Sequence, residues 1–225
     1  MRKLLTISSI FLSLLLVIQF LDLDIRISSL FYDNSANHQW IYANAHIWKF
    51  MYKYGNMIPN FFGIIAITTS IVVYVFMSKL VDKETKKKIL LVALLFLIAP
   101  GLIVQTLKVS WGRPRPNEIV NFGGKYEFHT PLLPNTALLG NKHDGNSFPS
   151  GHAANAFFMI FPFYVSKKRK YLFLGAIGAM FGILMSITRI VQGGHFLSDV
   201  VSSMFIVYIT AEVLKMVLID KSIKE

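Results

Sequence analysis

The chain has 225 residues, of which 54% are hydrophobic and only 16% charged, with 19 phenylalanines among them. That composition is too apolar for an ordinary soluble domain of this size, and the lack of cysteine excludes disulfides and thiolate metal sites. The net charge of +11 would suit a nucleic-acid binder, but the cations fall between long apolar runs instead of on one amphipathic face, so no nucleic-acid partner is expected.

Spanning the hydrocarbon core takes roughly 20 apolar residues, and six such stretches are predicted, at 4–21, 58–77, 89–107, 153–165, 171–187 and 200–218. The first follows Arg2 and Lys3 and is too long for a typical signal peptide, with no clear small-residue cleavage site after it, so it reads as an uncleaved span. Residues 22–57 mix Trp40, Tyr42, Trp48, Phe50, Tyr52 and Tyr54 with polar residues. This is the composition of an interfacial segment, either an aromatic belt that anchors the chain or a rim that guides a lipid. Residues 109–148 form a long loop rich in Gly, Pro and Asn, and loops of that length are often functional. Within it, Lys125, His129, Lys142 and His143 read as a solvated surface, with contact to a large headgroup as the alternative. Gly175, Gly178 and Gly182 fall close to one face of the fifth stretch and are expected to let helices pack closely. No repeat or linker divides the chain. Residues 1–225 are therefore expected to form one all-α membrane domain, a six-transmembrane-helix bundle with its motif-bearing core at about 89–218.

Basic residues set the orientation. One side carries Arg2, Lys3, Lys79, Lys83, Lys86, Lys87, Lys88, Lys167, Lys168, Arg169, Lys170, Lys221 and Lys224. Both termini are therefore expected in the cytoplasm, and the 22–57 and 109–148 segments outside it, at the periplasmic face of a bacterial inner membrane or the cell exterior.

Three short segments break the sparse pattern on that outer side. Lys108-Val-Ser-Trp-Gly-Arg-Pro-Arg115-Pro116 follows the third stretch, Phe148-Pro-Ser150-Gly151-His152 precedes the fourth, and Arg189-Ile-Val-Gln-Gly-Gly-His195-Phe-Leu-Ser-Asp199 joins the fifth to the sixth. Ionisable residues at membrane depth are costly and usually functional. Lys108, Arg115 and Arg189 together suit a phosphate ester, whose transfer spreads negative charge over three equatorial oxygens. Ser150 and Gly151 sit where a helix begins, and its unpaired N–H groups favour an anion. His195 and Asp199 are four apart, so on a helix the carboxylate can fix the tautomer and leave the other imidazole nitrogen as a nucleophile. A metal is the other use of such a pair, but no third or fourth ligand is evident nearby. His152 suits a general acid for the departing alkoxide.

Together these segments resemble the type 2 phosphatidic acid phosphatase family. Its pattern is Lys, six residues, Arg-Pro; then Pro-Ser-Gly-His; then Ser-Arg, five residues, His, three residues, Asp. Thr188 stands where the family usually has Ser, which keeps the hydroxyl. Arg113-Pro114 is a second Arg-Pro pair, too close to Lys108 for the pattern. The resemblance implies the helical fold of the acid phosphatase–vanadium haloperoxidase type and a phosphohistidine mechanism with no metal or other cofactor. His195 would attack phosphorus, Asp199 would orient it, and His152 would protonate the leaving group. Lys108, Arg115, Ser150, Gly151 and Arg189 would hold the phosphoryl oxygens, and water would then release phosphate. The partner is a lipid phosphate in the membrane. The run Trp111 to Glu118, with Phe122-Gly-Gly and Phe128-His-Thr-Pro, is similar to the bacterial branch that includes lipid A phosphatases. Undecaprenyl pyrophosphate, phosphatidylglycerol phosphate and phosphatidic acid are the alternative substrates. A non-enzymatic lipid transporter would carry charges along its span interiors, whereas here they cluster at one end.

Overall fold

The computed structural model describes residues 2–35, 39–140 and 144–220. Lys142, His143, Lys221 and Lys224 lie outside the described residues. The apolar N-terminal stretch forms helix α1 (Arg2–Phe20), and a left-handed residue, Asp22, turns the chain into the short α2 (Leu23–Ser29). A two-stranded hairpin follows, β1 (Tyr32–Asp33) against β2 (Gln39–Trp40), then α3 (His46–Tyr54) and α4 (Met57–Val75). The described part of the 22–57 segment thus folds as a cap of α2, the hairpin and α3.

Helix α5 runs Lys83–Trp111, capped by Asp82, whose carboxylate accepts the Thr85 N–H at 2.9 Å. Its middle, Leu97–Ile103, widens into a π-helical turn around Pro100, which has no N–H to donate and whose ring crowds the preceding turn. Beyond the long loop come α6 (Gly151–Phe158), α7 (Pro162–Val165), α8 (Arg169–Val191) and α9 (Leu197–Leu218). The fourth predicted stretch is therefore split. Pro162 clashes with the carbonyl four residues back, so α6 stops and the chain turns before α7. Among the described residues five helical stretches are long and apolar enough to cross a membrane, the second being α3 and α4 together. The fourth predicted stretch, split into α6 and α7, is not one of them.

Helix α9 is the hub. Half of its apolar window is buried, against 17% for α1, and it packs on α1, α5 and α6. The core joins Leu91, Leu95, Ala99 and Val104 of α5 to Ala153, Ala154 and Phe158 of α6 and to Val207 and Ala211 of α9. Phe20, Phe76, Phe173 and Met180 face outward, where hydrocarbon replaces water as the solvent. The glycines of α8 make the close contact their spacing predicted. A Cβ at Gly178 would lie 2.0 Å from the Met159 carbonyl oxygen, and one at Gly182 would lie 2.3 Å from the Phe157 ring. Near the far end of the bundle, Lys3 of α1 donates to buried Glu212 of α9 at 2.6 Å.

Candidate active site

Four hydrogen bonds staple the motif segments together. Asn117 N–H reaches Gly193 O at 3.1 Å, Ser147 N–H reaches Arg113 O at 3.0 Å and Ser150 N–H reaches Asp199 O at 3.3 Å. The Ser203 hydroxyl lies 2.8 Å from the Ser150 carbonyl oxygen and 2.9 Å from that of Asp199. These bonds gather the C-terminal end of α5, the start of α6 and the α8–α9 junction at one end of the bundle. A roof covers them. Tyr32, Trp40 and Phe122 pack edge to face with centroids 5.3–5.5 Å apart, and Trp40 lies directly on Gly193, where a Cβ would be 2.1 Å from the indole.

Inside, three cations converge. Lys108 projects over the start of α6, its Nζ 3.5 Å from where a Cβ on Gly151 would stand. The Ser150 side chain caps that helix by accepting the Ala153 N–H at 3.4 Å. Arg189 is buried, donates to the Gln192 side-chain oxygen at 2.7 Å and lies against Gly194. Its Nε has no hydrogen-bond partner. Arg115 has only a distant counter-ion, Glu118 at 3.8 Å, and its Nε is also unpartnered. Among the described residues no carboxylate pairs with Lys108 or Arg189. Buried cations normally have partners, so this end of the bundle is built to receive an anion.

Both histidines lie within electrostatic reach of Lys108 and Arg189. His152 stacks on Tyr52 of α3 with centroids 5.2 Å apart, and the same tyrosine carries the Arg189 guanidinium over its ring at 4.6 Å. His195 is almost fully buried. Its Nδ1 lies 2.7 Å from the Ser147 carbonyl oxygen and 3.6 Å from Asp199 Oδ2. Both neighbours are acceptors, so Nδ1 carries the proton and Nε2 keeps a free lone pair. The tautomer expected from the sequence is present, but the short bond goes to a backbone oxygen. Asp199 also accepts from Phe196 N–H at 2.8 Å, from the Ser147 hydroxyl at 2.6 Å and from Arg113.

Burial pushes the His195 imidazole down to about 3; the carboxylate of Asp199 opposes this, and the charges of Arg189 and Lys108 add to it. The ring is therefore neutral at physiological pH. A histidine whose folded pKa lies below its unfolded value of about 6.5 contributes stability above that pH and loses it as pH falls toward the folded value. Lowering pH from 7 to 5 is expected to remove about 2 kcal/mol through this one group. Thermal unfolding in detergent at the two pH values checks it: the drop in Tm should shrink in His195→Gln, and an equal drop in both proteins contradicts it.

Residues 89–220 match the sequence profile of the PAP2 superfamily, a stretch that contains all three motifs. The chain belongs to that superfamily. It is 34% identical over 199 residues to the lipid A 4'-phosphatase of Francisella tularensis subsp. novicida (strain U112), covering 85% of this chain and 84% of that protein. To the lipid A 4'-phosphatase of Rhizobium etli it is 36% identical over 121 residues, 53% of this chain and 44% of the relative. The protein of the same name from Rhizobium leguminosarum is 36% identical over 122 residues. No solved structure matches.

Several residues that build this PAP2 site escaped the sequence reading. Tyr52 figured there only as one aromatic of an anchoring belt or lipid-guiding rim, and nothing in its neighbourhood places it against His152 and Arg189. Arg113 was set aside for its spacing, yet it is fully buried and bonds the motif Asp199. Ser147 adjoins the second motif and joins Arg113, His195 and Asp199. Asp24, Tyr52 and Trp40 all precede the stretch that matches the superfamily.

Proposed function

We propose that this chain is a lipid A phosphatase that hydrolyses the 4'-phosphate at the periplasmic face of a bacterial inner membrane. The observation that carries the reading is buried Arg189 and half-buried Lys108, left without carboxylate partners among the described residues beside two histidines. Likeness over 85% of the chain to one protein named lipid A 4'-phosphatase, and over 53% to two others, supports lipid A as the substrate. The proposed orientation is supported by Lys79, Lys83, Lys86, Lys87, Lys88, Lys167, Lys168 and Lys170, which lie at the end of the bundle away from the histidines.

In this mechanism Lys108, Arg115, Arg189, the Ser150 hydroxyl and the Gly151 N–H bind the phosphoryl oxygens and stabilise their charge in the transition state, the Ser150 N–H being taken by the Asp199 carbonyl. His195 Nε2 attacks phosphorus in line with the sugar oxygen. The P–O bond to the sugar breaks as the N–P bond forms, and His152, protonated once the anionic phosphate has entered among the cations, gives that proton to the departing alkoxide. Nδ1–H stays on the ring, held by the Ser147 carbonyl, while Asp199 offsets the charge of the phosphoimidazole. Water then attacks phosphorus and His152 takes its proton; the N–P bond breaks, its electron pair returns to His195 Nε2, and inorganic phosphate leaves.

The experiment is a side-by-side assay of purified protein on lipid A, undecaprenyl pyrophosphate, phosphatidylglycerol phosphate and phosphatidic acid, with a chelator present and products read by mass spectrometry. Lipid A is expected to lose one phosphate, at the 4' position, at least about tenfold faster than any other lipid in the panel reacts. Faster hydrolysis of undecaprenyl pyrophosphate would replace the substrate assigned here. Activity that needs an added divalent ion would reject the direct role of His195.

A further inference from the structure

Arg113 is the largest fully buried side chain among the described residues. A guanidinium cannot shed its charge, so its stability there depends on its partners. Nε donates to the His129 carbonyl oxygen at 2.8 Å, Nη1 to the Ser198 hydroxyl at 2.7 Å and to Asp199 Oδ1, and Nη2 to Asp24 Oδ2 at 2.8 Å. The rings of Phe196 and Phe128 flank the guanidinium carbon at 4.4 and 5.5 Å and hold its plane. Asp24, on α2, is itself 2% exposed and accepts from Ser198 twice, from N–H at 2.8 Å and from the hydroxyl at 2.6 Å. One cation thus sits between two buried carboxylates that are far apart in sequence.

This arrangement divides Asp199. Oδ1 faces Arg113, while Oδ2 takes the Phe196 N–H and the Ser147 hydroxyl and faces His195. Alone, Arg113 would neutralise the carboxylate that the imidazole needs when it becomes cationic. With Asp24 on its other side, the Asp24–Arg113–Asp199 group keeps one net negative charge. Were Arg113 only a fold staple, the less costly solution would be apolar, since well-packed hydrophobic residues often replace a buried ion pair without loss.

We propose that Asp24 and Arg113 are positioning residues for the reaction at His195: Arg113 aims Asp199, and Asp24 balances Arg113 so that Asp199 retains its charge toward the imidazole. The proposal rests on His195 being the nucleophile. Asp24 lies outside the segment that matches the superfamily, so the N-terminal cap supplies part of the catalytic apparatus indirectly.

A functional double-mutant cycle tests this, with phosphate release measured on whichever lipid the wild type hydrolyses and Tm recorded for each protein. Asp24→Asn should lower kcat about tenfold with KM within about twofold, because substrate touches neither residue. Arg113→Gln should lower kcat about a hundredfold. The double variant should be no slower than Arg113→Gln, since Asp24 acts only through Arg113. Multiplication of the two losses, or a wild-type kcat in folded Asp24→Asn, overturns the proposal. If Asp24→Asn does not fold, Ser198→Ala keeps every charge and removes the hydroxyl that links Asp24 to Arg113. It should lower kcat about threefold at unchanged KM, and an unchanged kcat there also overturns the proposal. Turnover by His195→Ala would instead remove the underlying assignment, an outcome separate from the behaviour of the cycle.

Discussion

His195→Ala is expected to lower kcat by at least about a thousandfold while the protein still folds. The reasoning starts from what the ring does and does not support. Its Nδ1 donates to the Ser147 carbonyl, but the Ser147 hydroxyl and backbone hold Asp199 and Arg113 independently of the ring. Asp199 keeps Arg113, Ser147 and the Phe196 N–H when the imidazole is gone, so no buried charge is orphaned. The cost to the fold is a cavity and one unpaired carbonyl oxygen, on the order of 2–4 kcal/mol. The loss of rate is expected to be far larger, because the N–P bond proposed at His195 can no longer form. Phosphate release, together with a monodisperse elution profile, checks it. Retention of more than about a tenth of wild-type kcat would remove His195 from the chemistry.

The second large effect is expected at Arg189. Arg189→Met should lower kcat/KM by about 10²–10³, the usual loss when a buried donor to transition-state charge is removed. Its effect on stability should run the other way. Most buried arginines balance a carboxylate, and deleting them leaves an anion stranded. Arg189 has Gln192, Tyr52 and Gly194 as neighbours and, among the described residues, no carboxylate partner. A methionine covers Tyr52 and relieves repulsion from Arg115 and Lys108, so Tm should hold or rise. Arg189→Lys should lose less, about tenfold, since an ammonium supplies charge without the planar fork. Loss of rate and of fold in parallel would mean that Arg189 is structural.

The legible part of this protein was the part written in short, local spacing. Apolar runs long enough to cross a bilayer placed the long helices to within a few residues, and failed at the fourth run, which is split. His152, His195 and the three cations came from motifs whose members are close in sequence or share a recognisable pattern. The split of α6 from α7 follows from Pro162, a residue visible in the sequence, although its consequence depended on where the neighbouring helices sit. What was not legible depends on long-range contacts. Asp24 meets Ser198 across 174 positions, and no periodicity or composition signals that pairing. Arg113 carried a faint signal, a second arginine in an Arg-Pro-Arg-Pro run, but its buried partners come from three separate segments. Tyr52 shows the same limit, since an exposed aromatic belt and an aromatic shelf beneath an arginine read alike in one dimension.

The indole of Trp40 pressed onto Gly193 has a practical consequence for building hybrids of related enzymes. Swapping only the three signature loops between two such proteins would seat one parent's turn beneath the other's lid. The transferable module is larger than the recognised segment. It has to carry the first 54 residues with it, and a graft that leaves them behind exchanges the reactive groups without the scaffold that shapes them.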